Sequence, residues 1–569
     1  MAMRQNKNSR PLPTFAPMKN REIAAAFREL GQLMELHKDN PFKIRSYSNA
    51  YIKLRKLDTP LAEMSPEAIG ALPGIGPAIT SKIGELTSSG KMETLEKWRS
   101  KTPAGVREML KIDGFGPKKI RTIWQDLGVE TIGELMYAVN ENRLVELKGF
   151  GAKTQEDLRQ RLLFFQRSKG QFYYRDLIGP AQELLDLLQQ TFGEGVRSEL
   201  TGELRRAVTT PQAIEILTTA SSAELSALAE DEQIIGLEGV SENSYQARYQ
   251  ELPLKIYSCT ADNWGSRQFR YSGSSTFIQT FAGLQPSTDF SDLPTEADVF
   301  DRAGLQFLPP ELRETEWGLG LAKAGQVPEL LQVGDIRGVV HSHSTYSDGI
   351  HSLRAMAEAA RDRGYGYLVI TDHSQAAFYA NGLKEGRVRE QWAEIDELNE
   401  ELTPFRIIKG IESDILNDGS LDYPDEVLSG FELIIASVHS NLRMDQAKAT
   451  QRLLTAIQHP YTHMLGHPTG RLLLSREGYP IDHEAVIQAC AEHRVAIELN
   501  ANPARLDLDW SWIPYAMECG VPISINPDAH ATGGIDDIQY GVLAARKGGL
   551  TKAACLNTKE LADFLGYWS

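Results

Sequence analysis

The stretch Val339–Gly349, V-V-H-S-H-S-T-Y-S-D-G, constrains the fold of this chain more than any other. His341 and His343 stand two apart, directly after an apolar run that ends at Val340. On a strand, residues i and i+2 share a face, so both imidazoles can reach one ion. Later apolar runs end in the same way. L-V-I-T-D-H supplies Asp372 and His373, I-I-K-G-I-E supplies Glu412, and L-I-I-A-S-V-H supplies His439. M-L-G-H-P then gives His467, and I-S-I-N-P-D-A-H gives Asp528 and His530. Barrel-type α/β enzymes build their sites from side chains at the C-terminal ends of parallel strands. One histidine after a strand is ordinarily a satisfied core residue. Six of the chain's 12 histidines at equivalent strand ends are a metal-site pattern. After 335, apolar runs alternate with helical patterns such as S-L-R-A-M-A-E-A-A-R-D, which predicts a parallel α/β barrel.

These residues resemble the polymerase and histidinol phosphatase (PHP) family of metal-dependent phosphoesterases, which uses an H-x-H, an S-D-G, a T-D-H, a Glu, two further single His and a D-x-H. The resemblance covers 335–569 and implies a distorted, TIM-like barrel. Carried over by position, the metal ligands are His341, His343, Asp348, His373, Glu412, His439, His467, Asp528 and His530. So many ligands imply two or three divalent ions, with Glu412 as the bridging carboxylate. Mixed imidazole and carboxylate ligation suits zinc, manganese or iron better than magnesium alone. Glu412, His341, His343 and Asp528 are the expected catalytic residues. The strings G-H-P-T-G-R (466–471) and E-L-N-A-N-P-A-R-L-D-L (498–508) are similar to the PHP version fused to bacterial family X DNA polymerases. Arg471 and Arg505 are candidate phosphate clamps, with pairing to nearby acids as the plainer alternative.

The remaining 334 residues read differently. Although the chain carries a net charge of −16, residues 1–170 hold 29 Lys and Arg against 19 Asp and Glu, a net of +10. A basic front on an acidic body favours a polyanion partner at the N-terminal end. No apolar run approaches the ~20 residues of a membrane span, and the polar, proline-containing stretch 1–17 reads as a flexible arm. Four cysteines far apart, with no C-x-x-C, indicate neither a disulfide scaffold nor a thiolate zinc site. A cytoplasmic monomer, in the bacterial cytosol or nucleoid, is expected.

From Lys19 an amphipathic helix begins, and L-P-G-I-G (72–76) is followed by a helical pattern. The string recurs as I-D-G-F-G-P-K-K-I (112–120) and L-K-G-F-G-A-K-T (147–154). The glycine pairs Gly74/Gly76, Gly114/Gly116 and Gly149/Gly151 allow tight turns, and the next helix offers free N–H groups to phosphate oxygens. This is the helix-hairpin-helix device, which grips DNA backbone without reading sequence. Lys118 and Lys119 add charge to the second hairpin. Plain packing hairpins are the alternative.

Residues 18 to about 325 resemble a family X DNA polymerase. The resemblance implies a lyase-like helix-hairpin-helix domain (18–100), a fingers-like helix-hairpin-helix domain (101–170) and an α+β nucleotidyltransferase-like palm (171–250). A thumb (251–308), where Y-S-G-S-S (271–275) matches, and a linker (309–334) follow before the PHP domain (335–569). Lys82 falls where that family places its Schiff-base amine, and Lys43 and Tyr47 fall on its phosphate-binding and orienting positions. The palm departs from the family. Its G-S-x-R-R, D-x-D and third Asp meet T-G-E-L-R-R here. Arg205 and Arg206 match, but Glu203 replaces the serine. Ala213 and Glu215 stand at the paired aspartates, and Pro253 stands at the third. Two-metal phosphoryl transfer needs bridging carboxylates. The expected function is therefore a DNA end-processing phosphodiesterase, a 3′–5′ exonuclease in repair, on an inactive polymerase body that binds gapped, nicked or 3′ ends. A small-molecule phosphatase of histidinol-phosphatase type, a gap-filling polymerase with residual activity and a non-catalytic scaffold are the alternatives.

Overall fold

The computed structural model describes residues 18–112, 114–132, 135, 138–139, 144, 147, 150–168, 170, 172–284, 288–474 and 477–568. The arm expected over 1–17 lies outside them. The chain divides into two units, 1–169 and 170–569. Among the described residues no helix is long and apolar enough to cross a membrane.

The first unit is helical. In the helix Asn20–Leu36, Ile23, Phe27, Leu30 and Met34 recur at helical spacing and are buried. Asn40 caps the next helix, Pro41–Leu54, by accepting from the Phe42 amide at 2.9 Å. The hairpins repeat in structure as they do in sequence. Ile75, Phe115 and Phe150, the residues between or beside the glycines, are buried pegs. Each donates its amide three residues back, to Leu72, Ile112 and Leu147, at 3.0, 3.2 and 3.0 Å. Gly74 and Gly114 take φ of +74° and +69°, which a side chain would strain. Gly76 and Gly116 then cap the helices Pro77–Ser89 and Pro117–Leu127, each with proline in its first turn.

The second unit begins with a mixed sheet of β1 (Ser198–Leu200), β2 (Ile214–Thr218), β3 (Ile234–Ser241), β4 (Ser244–Tyr249) and β5 (Leu252–Ser258). Its order is β1-β2-β5-β4-β3, with β2 and β5 parallel. The helix Tyr174–Phe192 covers it with Leu177, Ala181, Leu184 and Leu188. The palm sheet thus runs on to Ser258, past the boundary expected at 250, because β5 pairs between β2 and β4. An aromatic cluster of Phe269, Phe277, Phe281 and Phe300 then organises the helices Trp264–Tyr271, Ser275–Leu284 and Glu296–Ala303.

The last layer is a nearly closed barrel of seven parallel strands. These are β6 (Gly338–Ser342), β7 (Tyr367–Ile370), β8 (Arg406–Asp414), β9 (Leu433–Ser437), β10 (Met464–Leu465), β11 (Ala496–Asn500) and β12 (Ile523–Asn526), paired in sequence order. A bridge between Ser342 and Ala529 draws the two ends together. Buried on both faces, these strands are runs of Val, Ile and Leu rather than alternating patterns.

The segment 309–334, expected as a linker, is folded. Leu312, Leu319, Ala322 and Leu330 enter the aromatic core, and residues 316–324 form the helix Glu316–Ala324. Glycine and charge in this stretch misread as linker composition, because the helix is short and its apolar face is shared with the thumb-like core. Its acids also brace the barrel. Glu314 accepts from Arg206 Nε at 2.9 Å and from Lys547 Nζ at 2.8 Å, and Lys547 also donates to the Arg206 carbonyl at 2.8 Å. Lys547 is 2% exposed at the end of the helix Ile538–Lys547, which follows β12. Burial works against ionised Glu314, but the two cations outweigh it and hold its pKa below the usual range. Removing the shared carboxylate leaves two cations in a dry interface. Glu314→Gln should therefore cost about 3 kcal/mol, read as an earlier midpoint in denaturant unfolding of the full chain.

Candidate metal centre

The strand ends of the barrel converge as the spacing predicts. His341 lies on β6, and His343, His373, His439, His467, Asp528 and His530 lie just beyond strands, while Glu412 sits within β8. Glu412 is the hub. One of its oxygens lies 3.3 Å from His341 Nε2, 3.1 Å from His439 Nε2 and 3.0 Å from His467 Nε2. The other lies 2.9 Å from His373 Nδ1 and 3.7 Å from His343 Nε2. Asp528 Oδ1 reaches His343 Nε2 at 3.0 Å and His341 Nε2 at 3.6 Å. Asp348 Oδ1 reaches His530 Nε2 at 3.3 Å and His373 Nε2 at 3.7 Å. Three groups have candidate ligand atoms mutually within 4.8 Å: His343/Asp348/His373/His530, His341/His343/Asp528 and His373/Glu412/His439. They share His343 and His373, so they form one continuous centre.

The donor set fits metal ions. His341 Nε2, His343 Nδ1 and Glu412 Oε2 are buried and lack a hydrogen bond of acceptable geometry among the described residues. Buried polar atoms are costly unless something satisfies them, and here several lone-pair donors face one another. Charge argues in the same direction. Burial disfavours a charged ring, yet Glu412 and Asp414 push His439 up to about 10, and Glu498, Glu412 and Asp528 raise His341 well above its ordinary value. The carboxylates leave the pocket short of positive charge, which divalent ions would supply in place of protons.

Local structure aims these groups. His341 and Asp528 adopt φ of +66° and +52°, left-handed conformations that cost non-glycine residues about 1–3 kcal/mol each and persist where function over-determines them. Two supporting acids, Glu498 and Asp414, escaped the sequence reading, and a third, Asp372, was noted at its strand end without a role. Fully buried Glu498 pairs with His341 Nδ1 at 2.5 Å, and it accepts from Asn526 Nδ2 and Asn500 Nδ2 at 2.8 and 3.0 Å. Asp414 pairs with His439 Nδ1 at 2.5 Å. Each fixes which imidazole nitrogen faces the centre. Asp372 accepts five hydrogen bonds, from the Ser344 and Ser347 amides and hydroxyls and from Gln391 Nε2, and so holds the loop that presents Asp348. The signals were E-L-N at a strand end, the E-S-D pair two residues apart, and the D of T-D-H.

Of the two candidate clamps, one stands at the centre. Arg505 Nε lies 3.6 Å from Asp528 Oδ2. Arg471 does not serve. Its guanidinium bonds Asp509 at 2.6 Å, the Arg505 carbonyl at 2.9 Å and the Leu506 carbonyl, so it braces the loop that carries Arg505.

In the palm-like sheet, register places Glu215 beside Lys255 and Ile214 beside Leu254; Ala213 immediately precedes β2, and Pro253 lies on β5. Glu215 accepts from the Glu203 amide at 3.0 Å, Lys255 Nζ at 3.1 Å and Tyr257 OH at 3.2 Å. Only a glycine fits at 202, since a Cβ there would lie 1.6 Å from Glu215 Oε2. Glu203 turns to the Gln212 amide at 2.7 Å. Arg205 grips Glu296 with both nitrogens, at 3.0 and 2.5 Å, and Arg206 is committed to Glu314.

In the first unit, a Cβ at Gly76, Gly116 or Gly151 would meet nothing within 4 Å, so the hairpin surfaces are open. Lys53 Nζ lies over Gly74 and Arg161 over Gly114. Lys43 and Lys118 are exposed, Lys119 is half-buried, and Lys82 Nζ donates to Thr94 Oγ1 at 2.8 Å. Tyr47, expected among the DNA contacts, is instead 8% exposed with its ring against Phe27, because its position faces the helical core. Gly149 lies outside the described residues.

A barrel with this centre, in one chain with tandem helix-hairpin-helix modules, is the architecture of a PHP domain that follows a helix-hairpin-helix region in sequence. Family models agree. A PHP domain matches residues 340–502, a helix-hairpin-helix domain matches 18–92, and a SAM-like helix-hairpin-helix tandem matches 106–162. The chain is 35% identical to the DNA polymerase/3′-5′ exonuclease PolX of Bacillus subtilis (strain 168), over 96% of this chain and 98% of that one. A probable phosphatase of Thermoanaerobacter sp. (strain X514) is 28% identical over 38% of this chain and 89% of its own length. The chain belongs to the bacterial family X DNA polymerases that carry a C-terminal PHP domain.

Glu498→Gln keeps the shape but loses the carboxylate partner of His341. It should weaken manganese or zinc binding about 10–100-fold, measured by competition with a chromophoric chelator.

Proposed function

We propose that this protein is a DNA end-processing phosphodiesterase, a 3′–5′ exonuclease, and that its polymerase site is inactive. The observation that carries the first part is the buried hub of Glu412 among five imidazoles, continuous with Asp528 and Asp348. His341, His343, Asp348, His373, Glu412, His439, His467, Asp528 and His530 would hold two or three divalent ions, with Glu412 as the bridge. Such ions, when bound, supply a lowered water pKa and charge neutralisation on phosphoryl oxygens. The chain's own groups do the rest. Glu498 and Asp414 hold the imidazole orientations, Arg505 is placed to take a phosphate oxygen, and burial keeps bulk water from the reacting phosphorus.

The observation that supports the second part is the fate of Glu215. With Ala213 and Pro253 at the other two positions, this carboxylate is the single acid of the expected three, and it is paired with Lys255 at 3.1 Å. It also takes the Glu203 amide at the turn where a phosphate would bind. The hairpins, their flanking cations and the +10 charge of residues 1–170 support DNA binding through the phosphate backbone. Lys82, which the resemblance aligns with the Schiff-base amine, donates to Thr94 Oγ1 at 2.8 Å.

A 5′-labelled primer on a gapped template, with manganese and with or without dNTPs, tests both parts. Shortening from the 3′ end is expected, with no extension when dNTPs are added, and His341→Ala should abolish the shortening. Extension would overturn the inactive-polymerase reading. Hydrolysis of small phosphomonoesters with DNA left intact would favour the phosphatase alternative. Binding of the same DNA without metal should fall steeply between low and moderate salt, by on the order of 10³ or more for six or so phosphate contacts.

A further inference from the structure

Arg505 stands at the metal centre, with Nε 3.6 Å from Asp528 Oδ2 and 21% of its side chain exposed. Among the described residues its guanidinium makes no hydrogen bond of normal geometry. The backbone beneath it therefore governs where the guanidinium can reach. Residues 504–506 lie in a turn rather than in a helix or strand, so bonds from elsewhere must fix them.

Those bonds come first from the loop that follows His467, and the two segments run antiparallel. Thr469 donates its amide and its hydroxyl to buried Asp507 Oδ2, both at 3.0 Å. Arg471 donates to the Arg505 carbonyl at 2.9 Å and to the Leu506 carbonyl. The Leu473 amide donates to the Ala504 carbonyl at 2.7 Å. Leu506 takes a left-handed φ of +46°, a conformation that persists only where the surroundings over-determine it.

The far end of this ladder is held from outside the barrel. Tyr173 donates its hydroxyl to the Leu473 carbonyl at 2.8 Å, across 300 residues of sequence. Tyr173 immediately precedes the helix that covers the palm-like sheet, Tyr174–Phe192, and its neighbours are pinned there. Phe172 donates to the Pro211 carbonyl at 2.8 Å, and Tyr174 donates to the Thr209 carbonyl at 3.2 Å. The Tyr174 ring also meets Tyr540 edge-on, with centres 6.3 Å apart, on the helix that follows β12. The palm-like body is thus docked on the barrel at the point from which Tyr173 reaches the loop.

We propose that Tyr173 is a positioning residue for the phosphodiesterase site: from the palm-like body, its hydroxyl holds 471–473 against 504–506 and so sets the reach of Arg505 to a substrate phosphate. This rests on the phosphodiesterase reading above and deepens it, and it gives the palm-like body a task other than nucleotide transfer. A guanidinium clamp acts by placement, and a displacement of about 1 Å can cost on the order of 100-fold in rate. A hydroxyl that only fastened the palm to the barrel would not act through Arg505.

The test compares full-length wild type, Tyr173→Phe, Arg505→Ala and the double variant in manganese on a 5′-labelled single-stranded oligonucleotide. Manganese affinity is read in parallel by chelator competition. Arg505→Ala should lower kcat/KM about 100-fold, and Tyr173→Phe should lower it about tenfold with manganese affinity unchanged. The double variant should be no slower than Arg505→Ala, because the hydroxyl then has no arginine left to place. A further tenfold loss in the double variant would overturn the proposal, since it marks an effect on the fold at large. Wild-type kcat/KM in either single variant would also overturn it, as would a manganese affinity that falls in step with the rate of Tyr173→Phe. Each of these results leaves the phosphodiesterase reading in place. Wild-type protein that leaves the oligonucleotide intact would overturn the reading and the proposal together.

Discussion

Glu412 places a carboxylate at the bottom of the barrel mouth with five imidazoles within 3.7 Å. An isolated carboxylate in so dry a place would take up a proton rather than stay ionised. Here burial is outweighed by the surrounding rings, and its pKa lies well below the ordinary range. Much of the barrel's C-terminal end can be understood as support for that one charge. Glu498 and Asp414 fix the rings from behind, Asp372 ties down the loop of Asp348, and left-handed turns at His341 and Asp528 aim their side chains inward.

The same logic runs in reverse in the palm-like sheet. There a single carboxylate, Glu215, is met by an ammonium on the paired strand, a tyrosine hydroxyl and a backbone amide. Its hydrogen-bonding capacity is spent inside the protein. The two arginines of T-G-E-L-R-R are likewise committed, Arg205 to Glu296 and Arg206 to Glu314. Arg206 thereby joins Lys547, so a position that resembles a nucleotide-site residue braces the helix that follows the barrel's last strand. The sheet's core of Ile214, Ile216, Leu254 and Ile256 is apolar and does not depend on this carboxylate.

Much of this was legible in the sequence because it follows period and repetition. Histidines two apart after an apolar run both reach the centre, although His343 lies beyond β6 and His341 takes a left-handed φ, and three G-x-G strings with apolar neighbours gave three buried pegs. Other parts were not legible. The helix Glu316–Ala324 was hidden in a short, glycine-bearing stretch whose apolar residues find their partners in a distant aromatic cluster. Tyr47 sits at a polar-looking position that the helix turns into the core.

The sequence by itself determined the class of barrel and the residues gathered at its mouth, since each depends on residue type and spacing. Only the tertiary structure decided which imidazoles surround Glu412, that Arg471 braces a loop while Arg505 stands at the centre, and that Glu498, Asp414 and Asp372 orient the site. These outcomes depend on which side chains meet across strands far apart in the chain. A hydrogen bond reaches about 3 Å, so only the closed fold fixes who is within reach.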